Sequence, residues 1–142
     1  EIKVTLQATR NGKWKRVICV FQPHRFSRTK FLEKEFGGAF EDAHLVVMTD
    51  VYPAGEEPVP GVSGKLLVDA ILQSNPGKQV IYLPKKSDIT SFLSYIVEPG
   101  DLILTVGAGD IWTVGREFLS SFQESVSKTG QNWFSPLFAV GR

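Results

Sequence analysis

Four short apolar runs, each almost free of polar residues, narrow the fold of this chain more than any other feature. They are residues 17–21, 45–48, 80–83 and 102–106. Strands that face solvent on one side alternate polar and apolar residues, whereas strands covered on both faces are apolar throughout. The runs therefore predict four strands inside a sheet that is covered on both faces.

The segments between and after these runs have apolar residues at helical spacing. They lie within residues 32–40, 66–71, 89–96 and 111–119. The third helix is expected to begin after Ser87 or Asp88, either of which can cap it, and to end before Pro99. This alternation predicts an α/β, Rossmann-like three-layer domain with a mainly parallel sheet flanked by helices. Ligands of such a sheet bind beyond the carboxyl ends of its strands.

The length and composition of the chain fit one folded domain. It has 142 residues, of which 42% are hydrophobic and 22% are charged, close to the averages of globular domains. We expect residues 1–122 to form the domain and residues 123–142 to form a C-terminal tail whose pattern predicts no structure. Residues 2–9 fit both an alternating strand and one helical face, so periodicity leaves both open.

Charge and hydropathy exclude several classes of function. A formal net charge of +1, without a long basic run, argues against nucleic-acid binding. No apolar stretch approaches the roughly 20 residues of a membrane helix, and no signal peptide is visible at Glu1. Cys19 is the single cysteine, so no internal disulfide is expected and a reducing, cytoplasmic setting is favoured.

The sequence also lacks the patterns of metal and nucleophilic catalysis. Neither His24 nor His44 has the spacing of a metal centre, and His44, at the start of the second run, is expected to be structural. No phosphate-binding loop of the form Gly-x-x-x-x-Gly-Lys-Ser/Thr is present. We therefore predict no catalytic residue and no metal ligand in this domain.

The residues after the first apolar run are the strongest candidates for ligand binding. Arg25 and Arg28 are three residues apart at the start of a helix that Ser27 or Thr29 can cap. Both guanidinium groups then fit one side of a helix N-terminus and form a clamp for a carboxylate or a phosphate. The alternative is a pair of ordinary surface arginines. His24 is a candidate general base, substrate contact or packed loop residue.

The loop after the second run is rich in proline and glycine, which predicts a shaped loop rather than a helix. Its candidate residues are Asp50, Tyr52, Ala54, Gly55 and Glu56. Tyr52 can line a pocket or pack over the strand end. The two carboxylates can orient cations or be solvated.

The turn after the fourth run contains Gly107, Gly109 and Asp110. The two glycines fit part of a dinucleotide-binding fingerprint, but Trp112 occupies the place of the third glycine. A tight turn from strand to helix, or close approach of the backbone to a ligand, explains them equally well.

Taken in order, these strand-end sequences resemble the C-terminal domain of the Mur ligases of peptidoglycan synthesis, and among them the ligases that join L-alanine to UDP-N-acetylmuramate. The matching segments are FQPHRFSRT at residues 21–29, DVYPAGE at 50–56, PG at 60–61 and VGAGDI at 106–111. The resemblance extends over roughly residues 1–120, and the first two segments are its most specific part.

The resemblance implies the third domain of a three-domain bacterial enzyme, whose other domains bind the UDP-sugar and ATP with Mg²⁺. In that family ATP converts the muramoyl carboxyl group to an acyl phosphate, and the amine of L-alanine attacks it. The third domain closes on the ATP domain as a lid, and alone it is expected to be inactive. The resemblance also favours a helix at residues 2–8.

By the same resemblance, Arg25 and Arg28 hold the alanine carboxylate and His24 lies beside the alanine methyl group. Tyr52 and the loop to Glu56 form another wall of the cleft, and residues 107–110 face the same space. Two alternatives stay open from the sequence. One is a stand-alone Rossmann-like module that binds a nucleotide or an anion, and the other is a Mur-type ligase for a different amino acid.

Overall fold

The structure is a computed structural model that describes residues 2–107, 109–129 and 137–141. Its helices are α1 (Ile2–Ala8), α2 (Phe26–Phe36), α3 (Gly64–Ser74), α4 (Lys86–Ile96) and α5 (Trp112–Thr129), with a 3₁₀ turn at Thr9–Asn11. Its strands are β1 (Arg16–Gln22), β2 (Leu45–Met48), β3 (Val80–Tyr82), β4 (Asp101–Gly107) and β5 (Leu137–Gly141). The four predicted strands are present, and the segment at the start of the chain is a helix.

The strands form one parallel sheet in the order β3-β2-β1-β4-β5. The central strand β1 pairs Phe21 with Met48 on one side and with Val106 on the other. The chain moves outward from β1 to β3 and then crosses back to β4, so the order of the strands reverses between β1 and β4. In open parallel sheets this switch point is where ligands bind, at the carboxyl ends of the strands.

Both faces of the sheet are covered, as the apolar runs predict. Cys19 and Phe21 of β1 pack with Leu67 of α3 on one face, while Ile18 and Val20 pack with helices α4 and α5 on the other. Successive residues of a strand point to opposite faces, so a strand between two helical layers needs apolar residues throughout. The α/β three-layer prediction is confirmed.

The predicted helix caps are wrong. Helix α4 begins at Lys86, so Ser87 and Asp88 lie inside its first turn, and its N-cap Lys85 makes no side-chain cap hydrogen bond. Helix α2 begins at Phe26, and neither Ser27 nor Thr29 is its N-cap. Free N–H groups at a helix start are also satisfied by side chains from other loops, which local sequence does not reveal.

The segment for which the sequence predicts no structure contributes to the fold. The boundary expected after residue 122 falls inside α5, and β5 adds to the sheet beside β4. Residues 130–136 and 142 of the predicted tail, like Ala108 of the glycine turn, lie outside the described residues. Among the helices that the structure describes, none combines the length and apolar character needed to cross a membrane.

Candidate functional site

A cleft of about 1060 Å³ opens where β1 and β4 end, beside α1 and α2. Gln22, His24, Arg28, Gly107 and Gly109 line it, together with apolar side chains that include Ile2, Leu32, Phe36 and Trp112. The cleft therefore lies at the switch point of the sheet, where a bound molecule would meet polar groups from two strand ends and one helix start.

Tyr52 connects the loops that follow β1, β2 and β4. Its N–H donates to the carbonyl of Pro23, and its carbonyl accepts the N–H of Arg25, both at 2.8 Å. The rings of His24 and Tyr52 stack with centroids 6.0 Å apart and planes 13° from parallel. A Cβ at Gly109 would lie 2.8 Å from the Tyr52 ring, so glycine lets the third loop approach the same ring.

The two arginines of the predicted clamp occupy different positions. Arg28, in the first turn of α2, is exposed and lines the cleft. Arg25 is the N-cap of α2 with φ 63° and ψ 141°, a backbone conformation that residues other than glycine rarely adopt. Its carbonyl accepts the N–H of Thr29 at 3.1 Å and the hydroxyl of Thr29 at 2.7 Å. The Arg25 side chain is exposed but is not part of the cleft lining.

Glu56 anchors the start of α2 and does not line the cleft. Its carboxylate accepts the Ser27 hydroxyl at 2.5 Å and the Ser27 N–H at 3.1 Å. The hydroxyl bond contributes most to a pKa of Glu56 below its usual 4.5, and the N–H bond and the positive charge of Arg25 act in the same direction. A negative charge near a helix N-terminus is favourable, so Glu56 does the capping that the sequence assigned to Ser27 or Thr29.

The other predicted residues of the second loop shape the loop itself. Asp50 Oδ1 accepts the N–H of Val51 at 2.9 Å and the N–H of Gly64 at 3.1 Å. Ala54 and Gly55 form an exposed turn with φ 51° and 87°. None of these three predicted residues lines the cleft.

A half-exposed carboxylate, that of Asp110, lies where β4 leads into α5. Lys86 Nζ donates to Asp110 Oδ2, and this hydrogen bond is the main cause of a lowered pKa of Asp110, with a smaller contribution from Gln22. The other oxygen of that carboxylate, Oδ1, is buried without a hydrogen-bond partner among the described residues. Gly107 approaches the same place, because a Cβ there would lie 2.4 Å from the carbonyl oxygen of Gln22.

The structure thus brings His24, Arg28, Gly107 and Gly109 together around one cleft, with Tyr52 stacked against His24. It also adds Gln22, which sequence reasoning did not select. The available signal was its position, since it is the first polar residue after the apolar run of the central strand. Among the described residues, no group of three or more His, Cys, Asp or Glu side chains is arranged to hold a metal ion.

Residues 1–109 match the family model described as "Mur ligase, glutamate ligase domain". The "UDP-N-acetylmuramate--L-alanine ligase" of Pelotomaculum thermopropionicum is 51% identical over 125 residues, which cover 88% of this chain and 27% of the relative. The protein of the same name from Desulforamulus reducens is 50% identical, over 87% of this chain and 27% of the relative. The chain therefore spans about a quarter of the length of these curated relatives.

Proposed function

Because this chain belongs to the Mur ligase, glutamate ligase domain family, we propose that it is the amino-acid-binding domain of an ATP-dependent ligase that joins L-alanine to UDP-N-acetylmuramate. The names of the relatives support the substrate pair. ATP and Mg²⁺ would bind to other domains of the enzyme, because this sequence has no phosphate-binding loop. The enzyme would act in the cytoplasm, as part of peptidoglycan synthesis.

The position of Arg28 in the cleft is the observation that carries the proposal. Its guanidinium group lines the cleft from the first turn of α2, with Lys3 of α1 as a second cation in the lining, and free backbone N–H groups at the start of α2 also favour an anion. A planar guanidinium matches a carboxylate with two parallel hydrogen bonds. The alanine carboxylate would bind there, with its methyl group toward the stacked rings of His24 and Tyr52.

Arg25 would contribute to the clamp once the domain closes. Its backbone is fixed at the same helix start by hydrogen bonds to Tyr52 and Thr29, and its side chain is exposed. Closure of this domain on the ATP domain would exclude water from the activated carboxyl group and so protect it from hydrolysis. The domain would supply binding and orientation, while the activating chemistry takes place on its partner domain.

We expect Arg28→Ala in the full-length enzyme to raise the KM for alanine by about 10- to 100-fold. A hydrogen bond to a charged group contributes about 1.5–3 kcal/mol, and 1.4 kcal/mol corresponds to about a factor of ten. The KM for ATP should change by less than about twofold, because ATP binds elsewhere. Steady-state kinetics with each substrate varied in turn measures both constants.

Lys30→Ala is the matched control for Arg28→Ala. Lys30 is an exposed cation on the same helix, is paired with Glu33 at 3.0 Å, and is not part of the cleft lining. Its loss should leave both KM values unchanged. An unchanged alanine KM in Arg28→Ala, or an equal rise in Lys30→Ala, would remove the role assigned to Arg28.

A further inference from the structure

The side-chain oxygen of Gln22 is an unexplained feature of the cleft. Gln22 ends the central strand β1 and is 5% exposed. It lines the cleft, and its Oε1 atom is buried without a hydrogen-bond partner among the described residues. Buried polar atoms of folded proteins are nearly always paired. An acceptor left unpaired at the edge of a cleft is open to a donor that enters the cleft.

The neighbours of Gln22 define the chemistry of that donor. On the adjacent strand end, Gly107 pairs with Gln22 in the sheet and lies against its backbone. Three residues later, Asp110 pairs with Lys86 through one carboxylate oxygen, and its other oxygen is buried without a partner among the described residues, but Asp110 is not part of the cleft lining. The acceptor in the cleft is therefore the Gln22 oxygen, and it favours a group that donates a hydrogen bond, such as an amine.

Arg28 supplies the opposite polarity in the same cleft. A small molecule that contacts both residues would carry an anionic group for the Arg28 guanidinium and a donor, such as an amine, for the Gln22 oxygen. We propose that Gln22 Oε1 accepts a hydrogen bond from the amino group of the amino-acid substrate while its carboxylate binds Arg28. This inference rests on the proposed function and adds a second anchor, which orients the nitrogen that forms the new amide bond.

Two small molecules, each with one of the charged groups of alanine, distinguish the roles of Gln22 and Arg28. Ethylamine has the amino group without the carboxylate, and propionate has the carboxylate without the amino group. Each is tested as a competitive inhibitor against alanine in the full-length enzyme. Gln22→Met removes the acceptor at similar volume, and Gln22→Glu keeps an acceptor oxygen at the same position.

In Gln22→Met, the inhibition constant of ethylamine should rise about tenfold, while that of propionate changes by less than about twofold. Arg28→Ala should show the reverse pattern. Gln22→Glu should bind ethylamine at least as well as the wild-type enzyme. A role of Gln22 that is only structural would weaken both fragments together.

The proposal is overturned if Gln22→Met leaves ethylamine inhibition unchanged, if it weakens both fragments equally, or if Gln22→Glu weakens ethylamine as much as Gln22→Met does. Those results leave the proposed function intact, provided that the wild-type enzyme uses alanine. If the wild-type enzyme does not use alanine, the proposed function fails and this inference fails with it.

Should Gln22→Met not fold, the wild-type enzyme still decides the question. A crystal structure of the full-length enzyme with alanine should place the amino nitrogen within about 3.2 Å of Gln22 Oε1. A structure in which that oxygen instead bonds only to water or to another part of the enzyme would overturn the proposal.

Discussion

Opposite ends of the parallel sheet differ in how they satisfy polar groups. At the amino end, Arg16 donates to both oxygens of Asp101, at 2.9 and 2.6 Å, and to the carbonyl of Ile96 at 2.7 Å. The Glu98 N–H adds a bond to the fully buried Asp101 carboxylate at 2.9 Å. His44, expected to be structural, accepts the N–H of Val17 on its Nδ1 atom at 2.9 Å.

The carboxyl end shows the contrary arrangement. Gln22 and Asp110 each keep a buried oxygen without a partner among the described residues, and Arg25 holds a backbone conformation that favours glycine. Unpaired polar atoms and unusual backbone angles lower stability, so they persist where surrounding contacts impose them, and they cluster at ligand sites. The amino end of the sheet therefore stabilises the fold, whereas the carboxyl end has the features expected of a binding site.

The largest expected effect on stability belongs to the amino end. Asp101→Ala removes a fully buried carboxylate and leaves Arg16, about one third exposed, without its partner. Breaking a buried ion pair costs roughly 3–5 kcal/mol, and because Arg16 retains access to water we expect a loss of about 3 kcal/mol in the free energy of unfolding. Urea denaturation of the isolated domain measures this loss.

Asp69→Ala is the control for Asp101→Ala. Asp69 forms an exposed ion pair with Lys65 at 3.1 Å on α3, and exposed pairs contribute about 0–1 kcal/mol. Equal losses in the two variants would contradict the assignment of the amino end as the stabilising end.

A smaller effect of opposite sign is expected at Arg25. Glycine adopts positive φ without steric cost, so Arg25→Gly should raise the free energy of unfolding by about 1 kcal/mol relative to Arg25→Ala, which keeps the strained backbone. The control is the same pair of substitutions at Arg28, which is in a helix. There Arg28→Gly should be about 1 kcal/mol less stable than Arg28→Ala. If Arg25→Gly were no more stable than Arg25→Ala, the backbone at Arg25 would not be strained.

The smallest effect is a pH dependence at Glu56. Its pKa is lower in the folded chain than the usual 4.5, chiefly through the Ser27 hydroxyl. The stabilisation is therefore fully present above pH 4.5 and is lost as the pH falls through the lowered pKa. Wild-type and Glu56→Gln chains should differ in stability at pH 7 and converge once the pH is below the lowered pKa of Glu56, as thermal unfolding at a series of decreasing pH values would measure. A difference that persists at low pH would show that the carboxylate charge is not involved.

Prediction from sequence worked best for the core strands and failed for several contacts between loops. The run at residues 45–48 corresponds to β2 residue for residue, because burial on both faces leaves a continuous apolar signal. The sequence predicted that Glu56 forms part of a wall of the cleft. In the structure its carboxylate is hydrogen-bonded to Ser27, which is 29 residues away in the sequence. No local sequence pattern reveals a contact between such distant residues. Gln22 was missed because one polar residue after a strand carries no periodicity.

The C-terminal part of the chain shows the same limit. Strand β5 forms against β4, and its five residues carry too short a pattern to predict a strand without that neighbour. At residues 2–8 periodicity left both a strand and a helix open, whereas the resemblance to the Mur ligases predicted a helix. The structure has helix α1 there, so that prediction is confirmed.

By itself the sequence determined the layered α/β architecture and the edge of the sheet at which to look for a site. Both follow from side-chain hydropathy at fixed spacing, which acts over a few residues and is visible in the chain. Only the tertiary structure decided which polar groups are satisfied and which are not, since Arg16 meets Asp101 across 85 residues while Gln22 Oε1 meets no partner among the described residues. Hydrogen bonds form only when donor and acceptor from distant segments are placed to within a few tenths of an ångström, and that placement exists only once the sheet is assembled.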